Sequence, residues 1–252
     1  MSKMTVILAA VYFALVEFAI ILYSPHGKGF FPPAYRALEV GSFAVPEEQV
    51  PDYAGEEIVY DVKMGAVKIG TSVYHNLERT KLSGVDAQLV VFTTKVIQVN
   101  DTERIWADVK EFLPLRVERD IRTWPKYTRI VEIYDQSSHS LDITRPPGGK
   151  SSRIVKEGPI HNAILLPYQV RRAEKLAPGW SMKVVLPTQE FDIKLKSIEK
   201  VTVPAGTFNA FYFESEPERF AIWISADDRR IPVKIRGSGG LNYTMLMRSY
   251  KK

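Results

Sequence analysis

The sequence predicts an all-β protein: an antiparallel β-barrel or strongly curved sheet with one short helical insertion, preceded by an N-terminal transmembrane helix. Three observations carry that prediction. From Gly55 nearly to the end, apolar side chains recur with period two, the signature of strands. Short Gly, Pro and Asp turns separate these runs, as in antiparallel barrels rather than βαβ units. A single segment, Pro159 to Lys175, breaks to helical spacing. A barrel is favoured by the long strands, because closing a large sheet on itself removes its edges. No repeat of 20 to 50 residues is visible, which argues against a propeller.

In chain order, Met4 to Tyr23 is apolar apart from Thr5 and Glu17. That length suits a helix crossing a bilayer core. Only Lys3 and the terminal amine form a basic start, and Glu17 stands two places before Ala19, the best small-residue cleavage point. Residues 1–23 therefore read as an uncleaved signal anchor rather than a removable signal peptide. Charge on the two flanks is nearly balanced, and the short tail followed by a large domain sets the orientation. The expectation is a single-pass protein of the cytoplasmic (inner) membrane with its C-terminal domain in the periplasm or outside the cell. Residues 24–54, with Pro25, Pro32, Pro33, Pro46 and Pro51, read as a semi-extended spacer.

Residues 55–252 form the β-domain. Ile58, Tyr60, Val62 and Met64 share one parity; after a Gly65 turn, Val67, Ile69, Thr71 and Val73 repeat it. His75 follows on the parity of Val73, and so is placed to point inward. Leu89 to Ile97 is apolar on both parities, which predicts cover on both faces. Leu115, Val117 and Ile121 alternate with charged residues, and Thr128 to Tyr134 pairs with Ser140 to Thr144 about a Gln136-Ser137-Ser138 turn. Within Pro159 to Lys175, Asn162 is a candidate cap and Pro167 predicts two helical pieces or a kink. The stretch from Val201 to Arg236 is the organising one: strand, Pro204-Ala205-Gly206-Thr207 turn, aromatic strand, a second strand from Phe220, an Asp227-Asp228 turn, and the strand of Ile231, Val233 and Ile235. Leu241 to Met247 is the last strand, with Tyr243 and Met245 on one parity.

At 252 residues, 45% hydrophobic and 25% charged, the chain has an ordinary globular composition. It has no cysteine, which removes disulfides, thiol catalysis, a cysteine–zinc site and a lipidated cysteine. The net charge of +5 comes from scattered basic residues that alternate with acids, a poor match for nucleic acid. His26, His75, His139 and His161 show no metal-ligand spacing, no serine sits in a GxSxG elbow, and no glycine-rich phosphate loop precedes a helix. The expectation is a non-enzymatic protein without cofactor or metal.

Two sets remain as ligand candidates. Aromatic residues can line a barrel mouth, since small-molecule sites are concave and mostly apolar. Arginines on a rim would match phosphate or carboxylate oxygens. The residues singled out are Tyr60, Tyr168, Arg171, Tyr212, Trp223, Arg230 and Tyr243, with Trp223 either under the helical segment or facing a lumen. The favoured ligand is an apolar or amphiphilic envelope molecule (lipid or glycolipid). The alternative is a structural or assembly protein of the envelope that binds a protein or polysaccharide partner.

Several stretches resemble a bacterial family, domain of unknown function 3108 (DUF 3108). Gly55-Glu56 with Tyr60, Gly65 and Ile69-Gly70 is similar to its opening, and Asn162 to Arg171 to its helical segment. Thr202 to Phe208, Ile222-Trp223-Ile224-Ser225, Asp228 to Val233 and Gly240 resemble its closing half. Asn162 replaces the family's usual aspartate, and Pro167 interrupts the segment. The resemblance implies an envelope β-domain of unassigned activity, with no catalytic residues to carry over.

Overall fold

The computed structural model describes residues 51–149, 151–237 and 242–252. The expected anchor and most of the spacer lie outside them. Among the described residues no helix is long and apolar enough to cross a membrane.

Among the described residues one antiparallel sheet contains all fourteen strands: β1 (Glu57–Met64), β2 (Val67–Leu82), β3 (Val85–Val96), β4 (Val99–Asp108), β5 (Pro114–Thr123), β6 (Lys126–Asp135), β7 (Ser140–Thr144), β8 (Ser152–Val155), β9 (Ser181–Val185), β10 (Glu190–Val203), β11 (Gly206–Glu216), β12 (Phe220–Ser225), β13 (Pro232–Gly237) and β14 (Tyr243–Lys251). A short helix, α1 (Leu166–Arg171), lies between β8 and β9 in the chain. The spatial order runs β8 back to β1, then β14 back to β9. Two meanders are thus joined where β1 pairs with β14. The inner face buries a single apolar cluster drawn from both meanders and α1.

The sheet is strongly curved but open, which corrects the expected closed barrel. No ladder joins β8 to β9. The chain leaving the four-residue β8 enters a proline-bearing linker instead of pairing onward. That linker bridges the gap: His161 donates its backbone N–H to the Val185 carbonyl at 2.7 Å, and the Val185 N–H donates to His161 Nδ1 at 3.2 Å. Part of the β9 edge is thereby covered, the usual protection for an unpaired strand. Burial lowers the His161 pKa, which keeps the ring a neutral acceptor.

Other expectations change for local reasons. A bulge between β1 and β2 at Ile69 shifts the register, and a one-residue slip reverses every later side chain. Ser72, Tyr74 and Asn76 therefore point inward, whereas Val73 and His75 face out. Gly70 sits at this point because a Cβ there would lie 2.1 Å from the Lys95 carbonyl oxygen. The outward Leu89 and Val91 are half-buried rather than covered, and Ile97 is exposed in a turn. The helix is one piece, since Pro167 falls in its first turn, where a missing N–H costs nothing. Asn162 Oδ1 accepts from the Ile164 N–H and does not cap α1. Tyr53, assigned by sequence to the spacer, packs edge-on against Phe112 and Tyr168.

Candidate functional site

The interior has two unlike ends. At one, α1 fills the opening with all six of its residues buried. Arg171 forms a two-pronged ion pair with Glu56, at 2.6 and 2.8 Å, and donates to the Arg229 carbonyl at 3.1 Å. Its guanidinium lies 4.5 Å from the Tyr53 ring centre and 5.1 Å from that of Tyr168. Burial opposes the charge on Arg171, but Glu56 more than offsets this and its pKa is raised. Tyr168 accepts from Asn76 Nδ2 at 2.8 Å; Tyr74 donates to the Ile164 carbonyl at 3.0 Å, and Tyr60 to the Pro232 carbonyl at 2.6 Å. Arg230 stands at a left-handed φ of 48° and donates to the Arg171 and Ala173 carbonyls, satisfying acceptors that the helix end leaves free. Arg172 binds the Val109 and Lys110 carbonyls, both at 2.7 Å. This end is sealed.

At the other end a cavity of about 120 Å³ remains. Its apolar wall includes Val62, Tyr74, Phe92, Leu186, Phe191, Ile235 and Met245, and Ala163 and Ile164 form the floor together with Leu166 and Pro167 of α1. The partly exposed Met64, Ile69, Gln189, Phe220 and Tyr243 and the exposed Arg219 mark its mouth. Tyr243 rests against Gly237, where a Cβ would come within 2.3 Å of its ring. Burial pushes the Tyr243 phenol up to about 12, so it stays protonated.

One side of the cavity is charged. Asp101, Glu103 and Arg119 point inward from β4 and β5. Arg119 Nε donates to both oxygens of Asp101, at 3.0 and 3.1 Å, and a second guanidinium nitrogen adds a third bond. Glu103 receives less: Arg119 Nε is 3.5 Å from Oε1. Burial pushes the Glu103 carboxyl up to about 7, Arg119 opposes this, and Asp101 adds to it. Nearby on β6, burial also raises Glu132 to about 7 although it accepts a bond from the Tyr134 hydroxyl.

Of the seven residues singled out by sequence, Tyr243 lines the cavity. Tyr60, Tyr168, Arg171 and Arg230 instead seal the other end. Tyr212 and Trp223 occupy the outer face, stacked with centres 4.7 Å apart. Trp223 neither lies under the helix nor faces the interior, because Phe220 and Ile222 take the inward parity of β12. Its indole donates to Glu199, and Lys234 covers its ring at 4.0 Å. Sequence reasoning passed over Asp101, Glu103 and Arg119. Their signal was present: each is a charge on the apolar parity of its strand, between Val99 and Ile105 or between Val117 and Ile121. Among the described residues, no group of three or more His, Cys, Asp or Glu could hold a metal ion.

Residues 59–247 match a family model described as "Protein of unknown function (DUF3108)". The fold is similar to the crystal structure of a β-barrel-like protein of the domain of unknown function DUF1849 from Brucella abortus, at 9% identity and TM-score 0.48, covering 78% of this chain and 96% of that one. A candidate exported protein with a YmcC-like fold from Bacteroides fragilis is similar at 12% identity and TM-score 0.32, over 80% and 98% of the two chains. A candidate lipoprotein from Parabacteroides distasonis follows at 12% identity and TM-score 0.26, over 79% and 95%. No curated protein matches the sequence significantly.

Proposed function

The chain belongs to the DUF3108 family, and from that premise we propose that it is a non-enzymatic binding module of the cell envelope, tethered to the membrane by residues 1–23, that holds the apolar part of an amphiphilic molecule. One observation carries the reading: the curved sheet is sealed by α1 at one end and keeps an apolar cavity at the other. A cavity of 120 Å³ is somewhat smaller than the roughly 150 Å³ apolar void known to take up benzene. It therefore receives a ring or the end of one acyl chain rather than a whole lipid. The charged wall sets the polar end of the ligand. Arg171 and Arg230, first candidates for an anionic headgroup, are occupied by the fold, so among the described lining residues Arg219 at the mouth is the basic group placed to meet one. A ligand hydroxyl or amine would meet Glu103.

The test is native mass spectrometry of the full chain recovered from its own membrane. A co-purified amphiphile that is lost from Met64→Phe, which fills the mouth, is the expected result. A ligand-free mass for the unaltered protein, repeated under gentle extraction, would overturn the proposal.

A further inference from the structure

In a meander, alternate turns fall at the same end, so the β1–β2, β3–β4 and β5–β6 turns all lie at the end of the sheet where the cavity opens. Each of these three neighbouring turns exposes a large apolar side chain: Val67 at 65%, Ile97 at 53% and Trp124 at 87%. Tyr127 adds a second exposed aromatic ring beside Trp124, with the Arg122 guanidinium 5.9 Å from its centre. Turns at the sealed end are built from Ser83-Gly84, Lys110-Glu111, Ser137-Ser138, Pro204-Ala205 and Asp227-Asp228; Val85 and Val155 are exposed there, but among the described residues no large aromatic ring is. A single exposed apolar side chain is ordinary, but Trp124 and Tyr127 grouped on one tip beside two further apolar tips make a patch of the kind that marks an interaction surface.

Charge identifies the partner. Across residues 63–68, 95–100 and 122–127 the chain places Lys63, Lys68, Lys95, Arg122 and Lys126, and no aspartate or glutamate; of these, Lys68 is ion-paired with Asp61 at 2.7 Å. Basic side chains interleaved with tryptophan and tyrosine are the composition of membrane–water interfaces, where amphipathic rings sit at headgroup level and cations meet anionic lipid. We propose that the three hairpin tips at the end where the cavity opens form a docking rim for an anionic lipid surface. The mouth then faces the bilayer, and an amphiphile passes between membrane and cavity without crossing open water. The docking goes beyond the binding reading and holds whether or not the cavity carries a ligand; the passage of an amphiphile rests on that reading.

The absence of native cysteine makes the test clean. Ile97→Cys and Trp124→Cys at the rim, and Ser137→Cys at the sealed end, would each carry a polarity-sensitive fluorophore in the full chain. The labelled proteins would be reconstituted into vesicles of zwitterionic lipid alone or with about one-third anionic lipid. The expected result is a blue shift at positions 97 and 124 in anionic vesicles, quenching there by headgroup-level spin labels, and neither effect at 137. Adding Arg122→Glu and Lys126→Glu should remove most of the shift while melting curves stay unchanged. Rim fluorophores as water-exposed as that at 137 on both vesicle types would overturn the proposal, and would point instead to a protein as the cover.

Discussion

The sealed end and the open end of this sheet use the same inward face, and they spend polar groups differently. At the sealed end Glu56, Arg171, Tyr168 and Asn76 sit among buried rings, and each is bonded to another group of the protein. At the open end Glu103 borders empty space, with one oxygen 3.5 Å from its nearest cation. Arg171 Nε and Asn76 Oδ1 keep no hydrogen-bond partner, but the sealed-end groups are tied to one another and border no cavity, so that cluster reads as structure. A charged group beside a cavity reads as a place for something else. Arginines and tyrosines that resemble a headgroup site in sequence thus turn out to be the fastening of a plug.

Substitutions at the two ends should separate stability from binding. The largest effect is expected from Arg171→Ala, which strands Glu56 in an apolar setting; removing one member of a buried pair costs roughly 3–5 kcal/mol. Chemical denaturation of the full chain measures it, and a loss below about 1 kcal/mol would place the plug's stability elsewhere.

Next comes pH. Glu103 and Glu132 both bind their protons more tightly folded than unfolded, since burial raises each to about 7 from 4.5. Their contribution is complete below about 4.5 and is lost as pH rises through about 7. Stability should therefore fall between pH 5 and 7.5, by roughly 1–3 kcal/mol for Glu132, and Glu132→Gln should flatten that slope. His161 acts in the opposite sense: its lowered pKa gives stability above 6.5 that is lost as pH falls below that value. Melting profiles of the single variants resolve the two.

A smaller loss, about 1–3 kcal/mol, is expected for Tyr168→Phe, which leaves Asn76 without the partner it holds at 2.8 Å. Trp223→Ala should lower stability while leaving ligand retention intact, because its ring lies on the outer face. Retention falling in step with the loss of Trp223 would break the division between the two ends.

Much of this architecture was legible because period-two alternation is a local property. The hairpin about Gln136, the Asp227-Asp228 turn and the inward run of Ile58, Tyr60 and Val62 follow from neighbours in the chain. Parity after Ile69 was not legible, since one bulged residue reverses it and bulges leave no reliable mark on spacing. The open seam was hidden for a related reason: closure depends on whether β8 and β9 meet, and these strands lie far from each other along the chain. The Glu56–Arg171 pair spans 115 positions, and no local pattern connects its members. Glu103 and Arg119 were readable in principle, as charges on an apolar parity, but their pairing needed the β4–β5 register.

The most direct test of this division is methyl NMR on the full chain, labelled at methionine and isoleucine and titrated with a single-chain amphiphile. Shifts are expected at Met64, Ile69, Ile164, Ile235 and Met245 around the cavity, with Ile58, Ile105 and Met247 unmoved. Shifts centred on the second set, or none at saturating amphiphile, would contradict the account.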